Sequence, residues 1–246
     1  MNADPYALSA EFYDVLSEQQ WRIRREPIAT ALRAAPVAAG PILDVGAGTG
    51  PCVRVIAEAV PTAAIVAVEP SPAMRAALLC RILQDPSLRE RVTVLAGRLE
   101  EVTLPPRLSA AVICGTIGYF SPDARRALWR DLAQRLAPGG VVVVDVMMLD
   151  RPRPVPPTRV AATRVGDQDY EVWLAGEPAS ATLMHWTLTY RVRRGERLVR
   201  SFQAEHDWHT FGLDLVAEEA ARAGFRFAPL AEALIPAGIL RRVEDD

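Results

Sequence analysis

From residue 41 to residue 146 the chain alternates short apolar runs with longer stretches whose apolar positions recur at helical spacing. Ile42, Leu43 and Val45 form the first run, Ala64 to Val68 the second, Val92 to Ala96 the third, Ala110 to Gly115 the fourth and Val141 to Val146 the fifth. Runs without a polar alternate fit strands covered on both faces of a sheet. Between them, Cys52 to Val60 reads as a helix. Ser71-Pro72 supplies an N-cap and a first-turn proline for a helix through Gln84, and Ser121-Pro122 does the same for a helix over Asp123 to Leu136. Pro138-Gly139-Gly140 then turns the chain into the fifth strand. Strands alternating with helices imply an α/β fold with a doubly wound, mostly parallel sheet.

The flanks read differently. Asp4 to Ala34 is helical, with Tyr6, Phe12, Tyr13, Leu16 and Trp21 on an aromatic-rich side and Arg22, Arg24 and Arg25 on a polar one. At Arg151 to Pro157 a proline-rich connection fits neither an interior strand nor a helix. From Thr158 to Phe211 the chain reads as antiparallel strands, with hairpin turns at Gly166-Asp167 and Arg194-Gly195. Met184, Trp186, Leu188, Tyr190 and Val192 share one face, and His185, Thr187 and Thr189 the other. Farther on, Phe202, Ala204, His206 and Trp208 oppose Gln203, Glu205, Asp207 and His209, so His206 is the histidine placed among aromatics. His206 and His209 fall on opposite faces and make poor joint metal ligands. Asp214 to Ala223 is a last helix ending at Gly224, followed by a strand over Phe225 to Pro229.

Composition narrows the classes. The 246 residues are long enough for one large domain with an elaboration, half of them are hydrophobic, and the net charge is -2. Acids and arginines are mixed along the chain, which argues against a nucleic-acid partner. Without an apolar run of about 20 residues there is no membrane span, and no leader precedes the fold, so a cytoplasmic protein is expected. Every basic residue apart from histidine is Arg; with no Lys, Schiff-base chemistry, a pyridoxal anchor and a P-loop are excluded. Cys52, Cys80 and Cys114 stand at unrelated spacings and read as thiols rather than as a disulfide or zinc framework.

The chemistry concentrates at Pro41-Ile42-Leu43-Asp44-Val45-Gly46-Ala47-Gly48-Thr49-Gly50. A strand ends, three glycines turn the backbone, and a helix starts near Pro51. Glycine there lets loop N–H groups approach a ligand and permits positive φ. A dinucleotide loop would read G-x-G-x-x-G/A, but counting from Gly46 the last position is Pro51. Asp44 at the strand end would repel a diphosphate and suits a ligand carrying a cation. Glu69 ends the second strand, where an acidic residue takes a ribose diol in this architecture.

With those residues the chain resembles the class I S-adenosylmethionine (AdoMet) dependent methyltransferases, in particular the small-molecule, natural-product N-methyltransferase-like group, to which Gly118-Tyr119 is also similar. The resemblance implies a Rossmann-like seven-stranded sheet with an antiparallel last strand and, here, an inserted antiparallel meander. It divides the chain into an N-terminal helical lid over 1–40, an AdoMet-binding core over 41–150 and 212–246, and an insertion over 151–211 acting as substrate roof or oligomer contact. It assigns AdoMet to Asp44, Gly46, Ala47, Gly48, Thr49, Gly50 and Glu69, with Asp44 near the aminocarboxyl end and Glu69 on the ribose. It adds Tyr6 from the lid, Pro70 and Met74 after the second strand, Gly97, Arg98 and Leu99 after the third, and Cys114 and Gly115 at the fourth. Many relatives carry Gly-Asp where this chain has Gly97-Arg98, so the adenine would meet backbone groups at Arg98 and Leu99 or stack on Arg98.

On the acceptor side Tyr13, Tyr119 and His206 are the candidates, His206 to take or orient a proton. Cys114 to Phe120 has no acidic ligand for Mg²⁺, so metal-independent transfer to a small-molecule amine in secondary metabolism is expected, with a homodimer possible. Two alternatives stay open: cyclisation of AdoMet with release of methylthioadenosine, and, from another class, an NAD-type oxidoreductase or a non-catalytic AdoMet-binding module.

Overall fold

In a computed structural model, residues 4, 6–230 and 233–243 are described. The elements follow as α1 (Ala10–Leu32), β1 (Ile42–Val45), α2 (Pro51–Ala59), β2 (Ile65–Glu69), α3 (Pro72–Gln84), α4 (Pro86–Arg91), β3 (Val92–Ala96), β4 (Leu108–Ile113), α5 (Pro122–Arg135), β5 (Leu136–Asp145), β6 (Val155–Val165), β7 (Gln168–Pro178), β8 (Leu183–Arg194), β9 (Arg197–His209), α6 (Leu213–Ala221), β10 (Phe225–Pro229) and β11 (Ala237–Arg242).

The main sheet has seven strands in the order β10-β11-β5-β4-β1-β2-β3. β1, β2, β3, β4 and β5 are parallel, and β11 runs antiparallel to both β5 and β10. Successive residues of its central strands enter opposite cores, as the apolar runs require. Ile42, Ile65, Ala67, Val112 and Val143 pack under α1, α2 and α3, while Leu43, Val66, Val68, Ala111 and Val144 pack under α5 and α6. The chain leaves β1 toward β2 on one side and returns to β4 on the other. That reversal opens a crevice at the carboxyl ends of β1 and β4, where ligands bind in open α/β sheets.

The seventh strand, β11, has no position in the sequence reading, because Ala-Gly-Ile-Leu-Arg-Arg carries neither a long apolar run nor a clean alternation. The expected turn at Pro138 to Gly140 is absorbed into β5 as an irregularity between the pairs Leu108/Leu136 and Ala110/Val141, with Gly139 at φ +76°. The helical N-terminus is a single helix of 23 residues.

The second sheet is an antiparallel meander, β6-β7-β8-β9. The face read as apolar on β8 is buried, and it closes over Phe12 of α1 together with Val172 and Trp208. Phe12 meets Tyr170, Tyr190 and Phe202 at ring-centroid distances of 5.2, 5.0 and 5.6 Å. The N-terminal helix is thereby held between the meander and the main sheet. The second long hairpin turns at Gly195-Glu196, one residue later than read, and a further connection at 179–182 joins β7 to β8. Among the described residues no helix is long and apolar enough to cross a membrane.

Candidate active site

Gly46, Gly48 and Gly50 all have positive φ, so the loop between β1 and α2 is a bend that other residues adopt at a cost. A Cβ on Gly46 would stand 2.4 Å from Thr116 Oγ1, and one on Gly48 would stand 3.2 Å from the Tyr13 ring. The loop N–H groups are not held out to a ligand as the sequence suggested. Those of Gly46 and Ala47 donate to the Val68 carbonyl and that of Gly50 to the Ala47 carbonyl. That of Gly48 donates to Glu69 Oε2 at 2.8 Å. A phosphate cradle needs its amides free; this loop has committed those of Gly46, Ala47, Gly48 and Gly50 and borders the crevice with carboxylates.

Asp44 is 2% exposed and its Oδ2 has no hydrogen-bond partner. Burial pushes its carboxyl up to about 7, against the pull of the Cys52 thiol. A buried acceptor left open is costly, and the group it fits is a cationic donor. Glu69 accepts Gly48 N–H on one oxygen and Ser71 N–H on the other, each at 2.8 Å, which leaves further lone pairs for hydroxyl donors. Burial raises its pKa as well. These features fit an AdoMet molecule, whose ammonium and ribose hydroxyls are donors.

Around them, Met74 is buried and Pro70 exposed. Ser71 caps α3 by accepting Met74 N–H at 3.1 Å. Gly97 N–H reaches the Glu69 carbonyl at 3.4 Å. Arg98 is exposed, and its N–H, one of the groups expected for an adenine, is taken by Glu101 Oε2 at 2.9 Å. Leu99 is half-buried beside it.

The N-terminal segment closes over this edge. Asp4 Oδ2 accepts from Ser71 Oγ at 2.9 Å and Ala73 N–H at 3.2 Å, and Asp14 accepts from Thr49 Oγ1 at 2.6 Å and pairs with Arg81. Tyr6 meets Tyr13 edge-on at 6.3 Å and its hydroxyl is bonded to the Tyr119 hydroxyl. Tyr119 in turn lies 4.6 Å from the Trp208 ring and 5.8 Å from His206. Tyr13, Tyr119 and His206, from three distant segments, are thus brought to one wall with Tyr6. Gly118 is glycine because Trp208 lies against it: a Cβ would come within 2.0 Å of the indole. Burial raises all three phenols, Tyr119 to about 12, and lowers His206 to about 4. Every polar group of the wall is therefore neutral at physiological pH.

Two residues escaped the sequence reading. Asp145, at the end of β5, accepts Gly115 N–H at 2.7 Å and Arg24 Nε–H at 2.5 Å. Arg24, read as part of a solvated face, turns inward; the two side chains are 12% and 3% exposed. The signal was the spacing of Tyr13, Gln20 and Arg24, which places them on one helix face. Cys114 is buried beside this pair and Gly115 faces it.

Residues 42–140, from β1 into β5, match the family described as a methyltransferase domain. The fold extends the likeness beyond that segment. DesVI of Streptomyces venezuelae superposes with a TM-score of 0.75 at 19% identity over 95% of this chain and 98% of that one. An amino pentose methyltransferase from Micromonospora echinaspora, CalS10, solved with AdoMet bound, gives 0.70 at 20% identity over 91% and 92%. The sugar N-methyltransferase KedS8 from Streptoalloteichus gives 0.64 at 21% identity over 97% and 88%. No curated protein matches by sequence. These likenesses show the fold, a Rossmann-like α/β methyltransferase fold.

Proposed function

We propose that this protein is an AdoMet-dependent methyltransferase and that it alkylates the amine of a small natural-product molecule of the amino-sugar kind, without a metal. The observation that carries the reading is the wall of Tyr6, Tyr13, Tyr119 and His206, neutral and aromatic, standing against Gly48 of the cofactor loop. Its like in fold include an amino pentose methyltransferase and a sugar N-methyltransferase.

When bound, AdoMet supplies a methyl group on a sulfonium that a neutral nucleophile displaces in line, leaving S-adenosylhomocysteine. Asp44 would meet the ammonium of the methionine part and Glu69 the ribose hydroxyls. Met74, Pro70, Gly97 and Leu99 would border the adenosine, with Cys114 and Gly115 beside the aminocarboxyl end. Helix α1 excludes water and sets the acceptor against the methyl carbon; orientation of this kind lowers a barrier by about 7–11 kcal/mol. The phenols offer hydrogen bonds without adding charge. A histidine with a pKa of about 4 stores a proton poorly at neutral pH, so His206 accepts from the amine N–H and aims its lone pair. The proton of the product ammonium passes on to solvent.

Purified protein incubated with AdoMet and an amino sugar should form S-adenosylhomocysteine, and with AdoMet alone it should not. Methylthioadenosine released from AdoMet alone would replace this reading with intramolecular cyclisation.

A further inference from the structure

We infer that the buried indole N–H of Trp186 is a specificity-determining donor to the acceptor molecule, and that the amine methylated here carries an uncharged oxygen, a hydroxyl or a ring ether, on a neighbouring carbon. The inference rests on the reading of Tyr119 and His206 as the acceptor wall. Trp186 is 2% exposed, and its Nε1 has no hydrogen-bond partner among the described residues. A buried donor left open is costly, and a ligand that brings an acceptor removes the cost. The indole of Trp129, also fully buried, donates to Glu219 Oε2 at 3.3 Å. Trp21, whose Nε1 is open as well, packs into the core under α1 and α2 instead.

Strand pairing puts Trp186 beside the wall. It stands opposite His206 across β8 and β9 and opposite Gly176 across β7 and β8, so Trp186 and His206 share the inner face of the meander. The neighbouring pair on that face is Met184 with Trp208, whose ring meets Tyr119. Gly176 fixes the lie of the indole. A Cβ there would stand 2.6 Å from both Cε3 and Cζ3, so the benzene edge of the ring lies over β7. Nε1 is on the opposite edge, turned away from β7, and His206 is on that side of β8. An indole N–H can only donate, so its partner brings a lone pair and is not an ammonium. The phenols and the imidazole of the wall are neutral, and a carboxylate brought there would be buried unpaired, so the fitting ligand is a neutral oxygen. Cross-strand neighbours have Cβ atoms about 4.5–5.5 Å apart. The amine and an adjacent oxygen of one small ring span that interval, the first at His206 and the second at Trp186.

The rival account gives Trp186 a packing role alone. Two acceptors separate the accounts: an amino sugar with a hydroxyl beside the amine, and the same sugar deoxygenated at that carbon. Wild-type protein should favour the hydroxylated amine about tenfold in kcat/KM. Trp186→Phe keeps an aromatic ring and removes the N–H. It should lose about tenfold on the hydroxylated amine and stay within about twofold on the deoxy amine, with S-adenosylhomocysteine affinity unchanged in calorimetry. Equal losses on both amines, or a preference that survives the substitution, overturn the inference. If the variant does not fold, the wild-type preference decides, and equal kcat/KM for the two amines overturns the assignment. Wild-type protein that methylates neither amine would overturn the amine reading itself.

Discussion

Asp44 keeps one oxygen without a partner inside the protein, and a titration follows from that. Its folded pKa of about 7 lies above the ordinary 3.8, so the stability it contributes is present below about pH 4 and is lost as pH rises through 7. An ammonium placed against the carboxylate favours the ionised form, so binding near pH 6 releases a proton. AdoMet affinity should therefore rise between pH 6 and 8, calorimetry in buffers of different ionisation enthalpy should register the release, and Asp44→Asn should abolish both. Asp44→Ala should weaken AdoMet about tenfold. Replacing His206 by Ala should lower kcat about 100-fold with AdoMet affinity unchanged, and the wild-type kcat profile should show no inflection near the ordinary histidine value of 6.5. The placement of Asp44, Glu69 and the glycines at the crevice was legible because each stands at one strand end or in one tight bend. Arg24 was not: it is shielded by a partner 121 positions away, and until that contact exists a charge on a helix reads as solvated.

Helix α1 is tied down at several points along its length and just before it: Asp4 to Ser71 and Ala73, Asp14 to Thr49 and Arg81, Arg24 to Asp145, and the Tyr6 hydroxyl to Tyr119. The Thr49 bond lands directly on the cofactor loop. A hydrogen bond to a charged acceptor contributes about 1.5–3 kcal/mol, and solvent beside Asp14 reduces this to about 1 kcal/mol. In Asp14→Ala, amide exchange over residues 10–20 should accelerate about fivefold, and S-adenosylhomocysteine should slow it again. No change in exchange would remove Asp14 from the closure. At this scale the sequence was informative wherever burial imposed a period: the apolar runs located β1 to β5, and alternation oriented β8 and β9. It failed for β11, whose pattern is half polar because the strand lies toward one end of the sheet, and for the length of α1, whose apolar residues divide between two partners.

Across the whole molecule, α5 and α6 are joined behind the sheet by a buried pair. Arg125 Nη2 and Nε reach the two oxygens of Glu219 at 2.9 and 3.1 Å, Trp129 Nε1 adds a bond at 3.3 Å, and the guanidinium lies 4.1 Å over the Phe211 ring. Both side chains are 3% exposed, so removing one partner strands the other, at about 3–5 kcal/mol. Glu219→Met should therefore lower Tm by about 10 °C in thermal unfolding, far from the site and without a change in AdoMet affinity. The pairing of the meander with α1 through Phe12 was invisible beforehand, because each element shows its own apolar face and nothing in the pattern names the other.

The placement of β11 bears on how the protein is made. Residues 237–242 fill the gap between β5 and β10, strands translated earlier. While the ribosome is still adding them, the edge of β5, Val141 to Asp145, has every residue ready for a ladder and no neighbour on that side. The sheet can shut only once residues 237–242 are in place, and until then its bare margin is open to pairing with another chain.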